Sequence, residues 1–148
     1  MKKMLLLFAL IAVALAQSNP PPKYYSFAVK RGWVSNECTW TIHGLWPEYS
    51  PNSWPQFCQP SRYGEYNENL LAQWFPTIET IWPPKTIWPH EWMKHGTCTK
   101  MTLIEYFGKS IDLFSNLSKT NCCNYTDLDC KSQQCLIKYD LDFNFISC

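Results

Sequence analysis

Trp40-Thr41-Ile42-His43-Gly44-Leu45-Trp46-Pro47 and Trp88-Pro89-His90-Glu91-Trp92-Met93-Lys94-His95-Gly96-Thr97-Cys98 are the two stretches on which the reading of this chain turns. The first is β-branched and aromatic and stops at a proline, the pattern of a strand. The second has a proline suited to a first helical turn and spaces its polar groups as a helix does. A strand bearing one histidine and a helix bearing two thus hold all 3 His of the chain. A single histidine is more often a structural or surface residue than a reactive one. Here none lies elsewhere, and the second stretch adds a carboxylate and an ammonium, which shifts the balance toward chemistry.

On a helix turning about 100° per residue, His90 and Lys94 share one ridge and Glu91 and His95 the next. Glu91 is therefore expected to orient His95 and favour its protonated form, with Lys94 setting a fixed charge beside His90. Such a cationic patch, with a proton-transfer group at its edge, suits a phosphate whose charge grows in a transition state. The run His90 to His95 superficially matches the HExxH motif of zinc proteases. Its histidines are five apart, a step of about 140° net, so they do not share a helical face. Lys94 stands where the second ligand belongs and would repel the metal. No metal or other cofactor is expected.

Working outward, residues 24–47 read as extended and residues 48–62 as a loop with Pro51, Pro55 and Pro60. Residues 63–82 read as a helix, from Leu70, Leu71, Trp74 and Phe75, ended by Pro83-Pro84. Helical pattern resumes over 102–117, and Asp142–Ile146 reads as a strand. Strands and helices mix without regular alternation, so the expected class is α+β.

The chain has 148 residues, 16% aromatic, which suits one domain with a real core. Its start is set aside as a leader. Lys2 and Lys3 precede an apolar run from Met4 to Ala16 that exits through Ala14-Leu15-Ala16, the pattern of a secretory signal peptide. The run is short of the about 20 residues a membrane span needs. The expected organisation is a signal peptide over 1–16 and a single domain over 17–148, with no stable membrane association once the leader is removed. Of 13 Lys+Arg, two leave with the leader, so 11 face 12 Asp+Glu. No basic surplus advertises nucleic-acid binding, and a polyanion would have to be held by local charges. The 8 Cys are all in the mature part. An even count after a signal peptide implies disulfides, with connectivity left open among 105 pairings. Asn116-Leu-Ser and Asn124-Tyr-Thr are glycosylation sequons.

Together the two stretches resemble the active-site signatures of the ribonuclease T2 family, the acid endoribonucleases related to plant self-incompatibility ribonucleases. Residues 40–47 match the first signature throughout, and residues 88–98 match the second except at its leading aromatic, where Ile87 stands. Cys135-Leu-Ile-Lys and Phe145-Ile-Ser-Cys148 are similar to that family's C-terminal strand pair. The resemblance implies a central antiparallel sheet flanked by helices and braced by disulfides. It implies cofactor-free endonucleolytic cleavage of single-stranded RNA by transphosphorylation, through a 2′,3′-cyclic phosphate. His95 would be the general base and His43 the general acid. Glu91 and Lys94 would stabilise the transition state and His90 would bind phosphate. Trp46, Glu48, Trp54 and Ile87 would form a base site, and residues 30–33 replace a stretch that often serves a second one. DNA, lacking the 2′-OH, would not be cut. The implied pairings are Cys58–Cys98 and Cys135–Cys148, with Cys38, Cys122, Cys123 and Cys130 unassigned.

The chain is expected to be shortened against the family, between Trp82 and Trp88 and, more, over about 115–134. A monomer that is secreted, or routed to a lysosome or vacuole, is the expected form. The competing readings are a catalytically inactive secreted relative that binds or signals, and a zinc hydrolase. Cleavage of RNA in the presence of a chelator separates all three.

Overall fold

The computed structural model describes residues 20–58, 63–123, 130 and 133–148. The leader and the sequon at Asn124 lie outside the described residues. Strands β1 (Tyr24–Val34) and β2 (Glu37–Glu48) form one hairpin closed by Ser35 and Asn36. Both closing residues have positive φ, 49° and 67°, which matches a two-residue turn to the twist of its strands. Strand β3 (Gln133–Tyr139) pairs with the other side of β1, and β4 (Phe145–Ser147) with β3. The sheet order is β2-β1-β3-β4, antiparallel throughout.

Alternation gives the sheet two unlike faces. Tyr25, Phe27 and Val29 of β1 enter the core with Ile42 and Leu45 of β2 and Ile137 and Tyr139 of β3. Ser26, Ala28 and Lys30 take the opposite face. They are in register there with Trp46, Gly44 and Thr41 of β2 and with Lys138, Leu136 and Gln134 of β3. One residue breaks the pattern. Ala28 opposes Gly44 and Val29 opposes Ile42, so His43 is the extra residue of a β-bulge. A bulge re-aims its side chain and leaves backbone groups unpaired. Those of edge strand β2 are met by side chains from the helical layer. The Trp82 indole donates to the His43 carbonyl (3.2 Å), and the Tyr106 hydroxyl donates to that of Leu45 (3.0 Å).

The expected helix over 63–82 is in fact a 3-10 turn, Glu68–Trp74, followed by α1 (Phe75–Ile81). Asn67 caps the turn by accepting from the Asn69 amide (3.1 Å). Pro76 explains the break: it has no amide hydrogen to bond back one turn, and it serves instead in the first turn of α1. Helix α2 (Trp88–Lys94) carries Pro89 in its first turn. Helix α3 (Leu103–Ser115) opens with a reciprocal Thr102–Glu105 capping box. Helices of seven residues are not stable alone. Trp82, Trp88, Trp92, Tyr106 and Phe107 are all fully buried and interlocked around them. At roughly 1.5–3 kcal/mol for each large buried side chain, this aromatic wedge holds α2 against β2. Among the described residues no helix is long and apolar enough to cross a membrane.

Strand β4 starts later than the expected 142–146. The Asp140 carboxylate accepts from the amides of Asp142 (2.9 Å) and Asn144 (2.8 Å), which spends the preceding residues on a turn. Four disulfides brace the chain: Cys38–Cys130, Cys58–Cys98, Cys122–Cys148 and Cys123–Cys135. The pairing of Cys135 with Cys148 is thus corrected. Lys138 opposes Ser147, which leaves Cys148 out of register with Cys135, and a cross-strand bridge needs near opposition. The adjacent Cys122 and Cys123 serve one partner each. By loop-closure entropy, Cys58–Cys98 stabilises by about 4 kcal/mol, and it ties the loop after β2 to the end of α2.

Candidate active site

The bulge delivers His43, half-buried, onto the open face of the sheet beside Trp46. Their ring centroids are 5.1 Å apart at 75°. Trp46 also lies 5.5 Å from the His95 ring, tilted by 31°. Two imidazoles from distant segments therefore gather at one indole. His95 comes from the end of α2, whose position over β2 is set by a close approach at Gly44. A Cβ at Gly44 would overlap the Glu91 carboxylate and the Trp46 indole nitrogen. Only glycine leaves that space, and through it Trp46 Nε1 donates to Glu91 Oε2 (3.1 Å).

This contact revises one expectation. Glu91 engages Trp46, and His95 Nδ1, although buried, has no hydrogen-bond partner among the described residues. His95 is the C-terminal cap of α2 and its amide still donates to the Glu91 carbonyl (3.0 Å), but the Glu91 carboxylate is taken by Trp46. Protonation of His95 is consequently not favoured. Burial, then the charges of Lys94, His90 and His43, push the His95 imidazole down to about 3. Burial pushes the Glu91 carboxyl up to about 7, against the Trp46 hydrogen bond and the charges of Lys94 and Lys30. His43 is also lowered, mainly by burial, with Lys30 and Lys94 adding to the effect and a hydrogen bond to Gln134 opposing it. His95 is thus a neutral acceptor across the ordinary pH range. Lys94, half-buried at the end of α2, acts electrostatically on His43, His95 and Glu91 alike.

The other expected residues are placed as follows. His90 is exposed on α2, with Phe57 edge-on at 6.3 Å. Glu48, at the end of β2, accepts from the Tyr24 hydroxyl (2.9 Å). Trp54 is 49% exposed in the loop after β2. Ile87 is half-buried against the core, just before α2. Asn116 caps α3, its amide nitrogen donating to the Asp112 carbonyl (2.9 Å). Among the described residues no three or more His, Cys, Asp or Glu side chains converge as a metal site would require.

Three residues were missed. Lys30 lies on the site's face of the sheet, and strand alternation from Tyr25, Phe27 and Val29 could have assigned it there. Phe57, 58% exposed, is brought beside His90 where its amide donates to the Lys94 carbonyl (3.0 Å). Gln134 reaches His43 from a strand 91 positions away, and no local signal points to it.

A family model described as the ribonuclease T2 family matches residues 17–140. Intracellular ribonuclease LX of Solanum lycopersicum is 38% identical over 80 residues, covering 49% of this chain and 33% of the relative. Ribonuclease DdI of Dictyostelium discoideum is 30% identical over 130 residues, covering 73% of this chain and 56% of the relative. The chain thus spans from a third to somewhat over half the length of these relatives. Among solved structures, an RNase-related protein from Calystegia sepium aligns with a TM-score of 0.69 at 19% identity, over 88% of this chain and 92% of that one. RNase NT, solved in complex with 5′-AMP, gives 0.64 at 21% identity over 87% and 91%. These structures share the fold, and the family model takes in both histidine-bearing stretches: the chain belongs to the ribonuclease T2 family.

Proposed function

We propose that this protein is a secreted endoribonuclease that cuts single-stranded RNA by internal transphosphorylation. The observation that carries the proposal is the gathering of two imidazoles at Trp46, with a lysine acting on both. His95, held neutral by burial, takes the proton from the ribose 2′-OH. The 2′-oxygen attacks the adjacent phosphorus, the bond from phosphorus to the 5′-oxygen breaks, and His43 gives its proton to that leaving oxygen. The products are a 2′,3′-cyclic phosphate and a 5′-hydroxyl end. Lys94 and His90 bind the phosphate, and Lys94 offsets the charge that builds on its oxygens. Glu91, mostly neutral in acid, holds Trp46 beside the two rings and can offer a proton to a phosphoryl oxygen. The scheme needs no metal. It does need the 2′-OH, so DNA is not a substrate.

Base recognition falls to exposed rings, since stacking is worth about 1–3 kcal/mol per base. Trp54, with Glu48 and Trp46 nearby in sequence, serves one base, and Phe57 beside His90 adds a second surface. Ile87 contributes at most an aliphatic edge.

The test is cleavage of RNA by the purified protein at pH 5 with EDTA present. His43→Phe and His95→Phe should each lose about 10²–10⁴-fold in rate while keeping the wild-type circular dichroism spectrum. Near-full activity in either variant would remove it from the proton-transfer role. Loss of wild-type activity on chelation would point to a metal enzyme instead.

A further inference from the structure

His43 is the one imidazole of the pair that must carry a proton to act, yet its surroundings oppose that. Lys30 on β1 and Lys94 on α2 are both cationic, and His95 follows α2. The Glu91 carboxyl is buried against Trp46 and shifted toward its neutral form. Trp82 meets only the His43 carbonyl. Gln134 supplies the remaining contact: its Oε1 lies 3.1 Å from His43 Nδ1. An amide oxygen can only accept, so Nδ1 carries the hydrogen and donates it.

The contact spans the sheet. Gln134 is on β3 and His43 on β2, with β1 between them, a separation of two strand spacings or about 10 Å of backbone. Two features make it possible. Gln134 is opposite Lys30 and so faces the site side, and the bulge turns His43 toward it. A glutamine has the reach, whereas an asparagine is one methylene short.

We propose that Gln134 is the positioning residue of the acid half of the site. By accepting from Nδ1 it holds the imidazole in one orientation, directs Nε2 at the leaving oxygen, and favours the protonated ring without placing an anion there. This rests on the RNA-cleaving reading. The residue then sets the upper pH limit of the reaction: activity falls as His43 loses its proton, and a neutral acceptor holds that point lower than a carboxylate would.

The test uses Gln134→Leu and Gln134→Glu in the full chain, with a dinucleoside monophosphate as substrate. In the kcat/KM profile the high-pH limb should move down in pH for the Leu variant and up for the Glu variant, with the low-pH limb unmoved. Each unit of displacement is about tenfold in rate on that limb. Purely structural damage would lower the whole profile without moving the high-pH limb in opposite directions in the two variants. The His43 ring is titrated in parallel by NMR in all three proteins, where the same signed shifts are expected. Unmoved titration in both variants overturns the proposal. Absence of RNA cleavage by the wild-type protein overturns the nuclease reading, while the NMR titration still decides the Gln134 contact.

Discussion

Gly44→Ala probes the site without altering either histidine. The added methyl meets the Glu91 carboxylate, with Cδ at 3.1 Å and an oxygen closer still, and on its other flank the Trp46 indole nitrogen. Neither neighbour retreats freely: Glu91 is 4% exposed on a helix anchored by Trp88 and Trp92, and Trp46 is in ring contact with two imidazoles. Overpacking costs about 1–3 kcal/mol. Parting the indole from its carboxyl adds about 1–3 kcal/mol, and the stiffer unfolded chain returns about 0.4–1 kcal/mol. The expected net loss is about 1–6 kcal/mol in urea unfolding. The catalytic loss should be at least as large, because displacement of α2 by about 1 Å moves His95 relative to His43 and can cost about 10²-fold. A variant with a wild-type urea midpoint and wild-type kcat/KM would refute the close approach of Glu91 to β2 and, with it, the geometry assigned to the site.

The pH profile of kcat/KM should be a bell confined to acid. It rises as His95 loses its proton near about 3 and falls as His43 loses its own below 6.5; an optimum above neutrality would contradict these environments. Glu91→Gln should change how stability depends on pH. Burial raises the Glu91 carboxyl from 4.5 to about 7, so its contribution is fully present below 4.5 and is lost as pH rises through about 7. Urea midpoints of the wild-type protein should therefore fall between those values more steeply than midpoints of the variant, and parallel slopes would count against the burial of this group.

The two histidine-bearing stretches were readable as a strand and a helix because each carries its own local pattern, and their helix and strand assignments agree with β2 and α2. Pro76 misled the reading of 63–82, since apolar spacing there persists across a break that the missing amide hydrogen enforces. Glu91 and His95 misled it in another way. Their i, i+4 spacing is helical and the backbone bond between them forms, but Trp46 from β2 takes the Glu91 carboxylate. The Cys135–Cys148 pairing failed on strand register, which Asp140 alters by drawing the residues before β4 into a turn.

Residue types and short spacings by themselves determined the candidate histidines, lysine and carboxylate, the extended and helical segments that bear them and the mixed α+β class, because backbone propensity and side-chain chemistry are properties of neighbours in the chain. Tertiary structure alone decided the bulge that aims His43, the indole that contacts both imidazoles, the burial that drives His95 and Glu91 toward their neutral forms, and the arrival of Gln134 and Lys30 on the same face. Each of these depends on desolvation or on contact between segments tens of residues apart, and neither quantity exists until the sheet and the aromatic wedge have closed on one another.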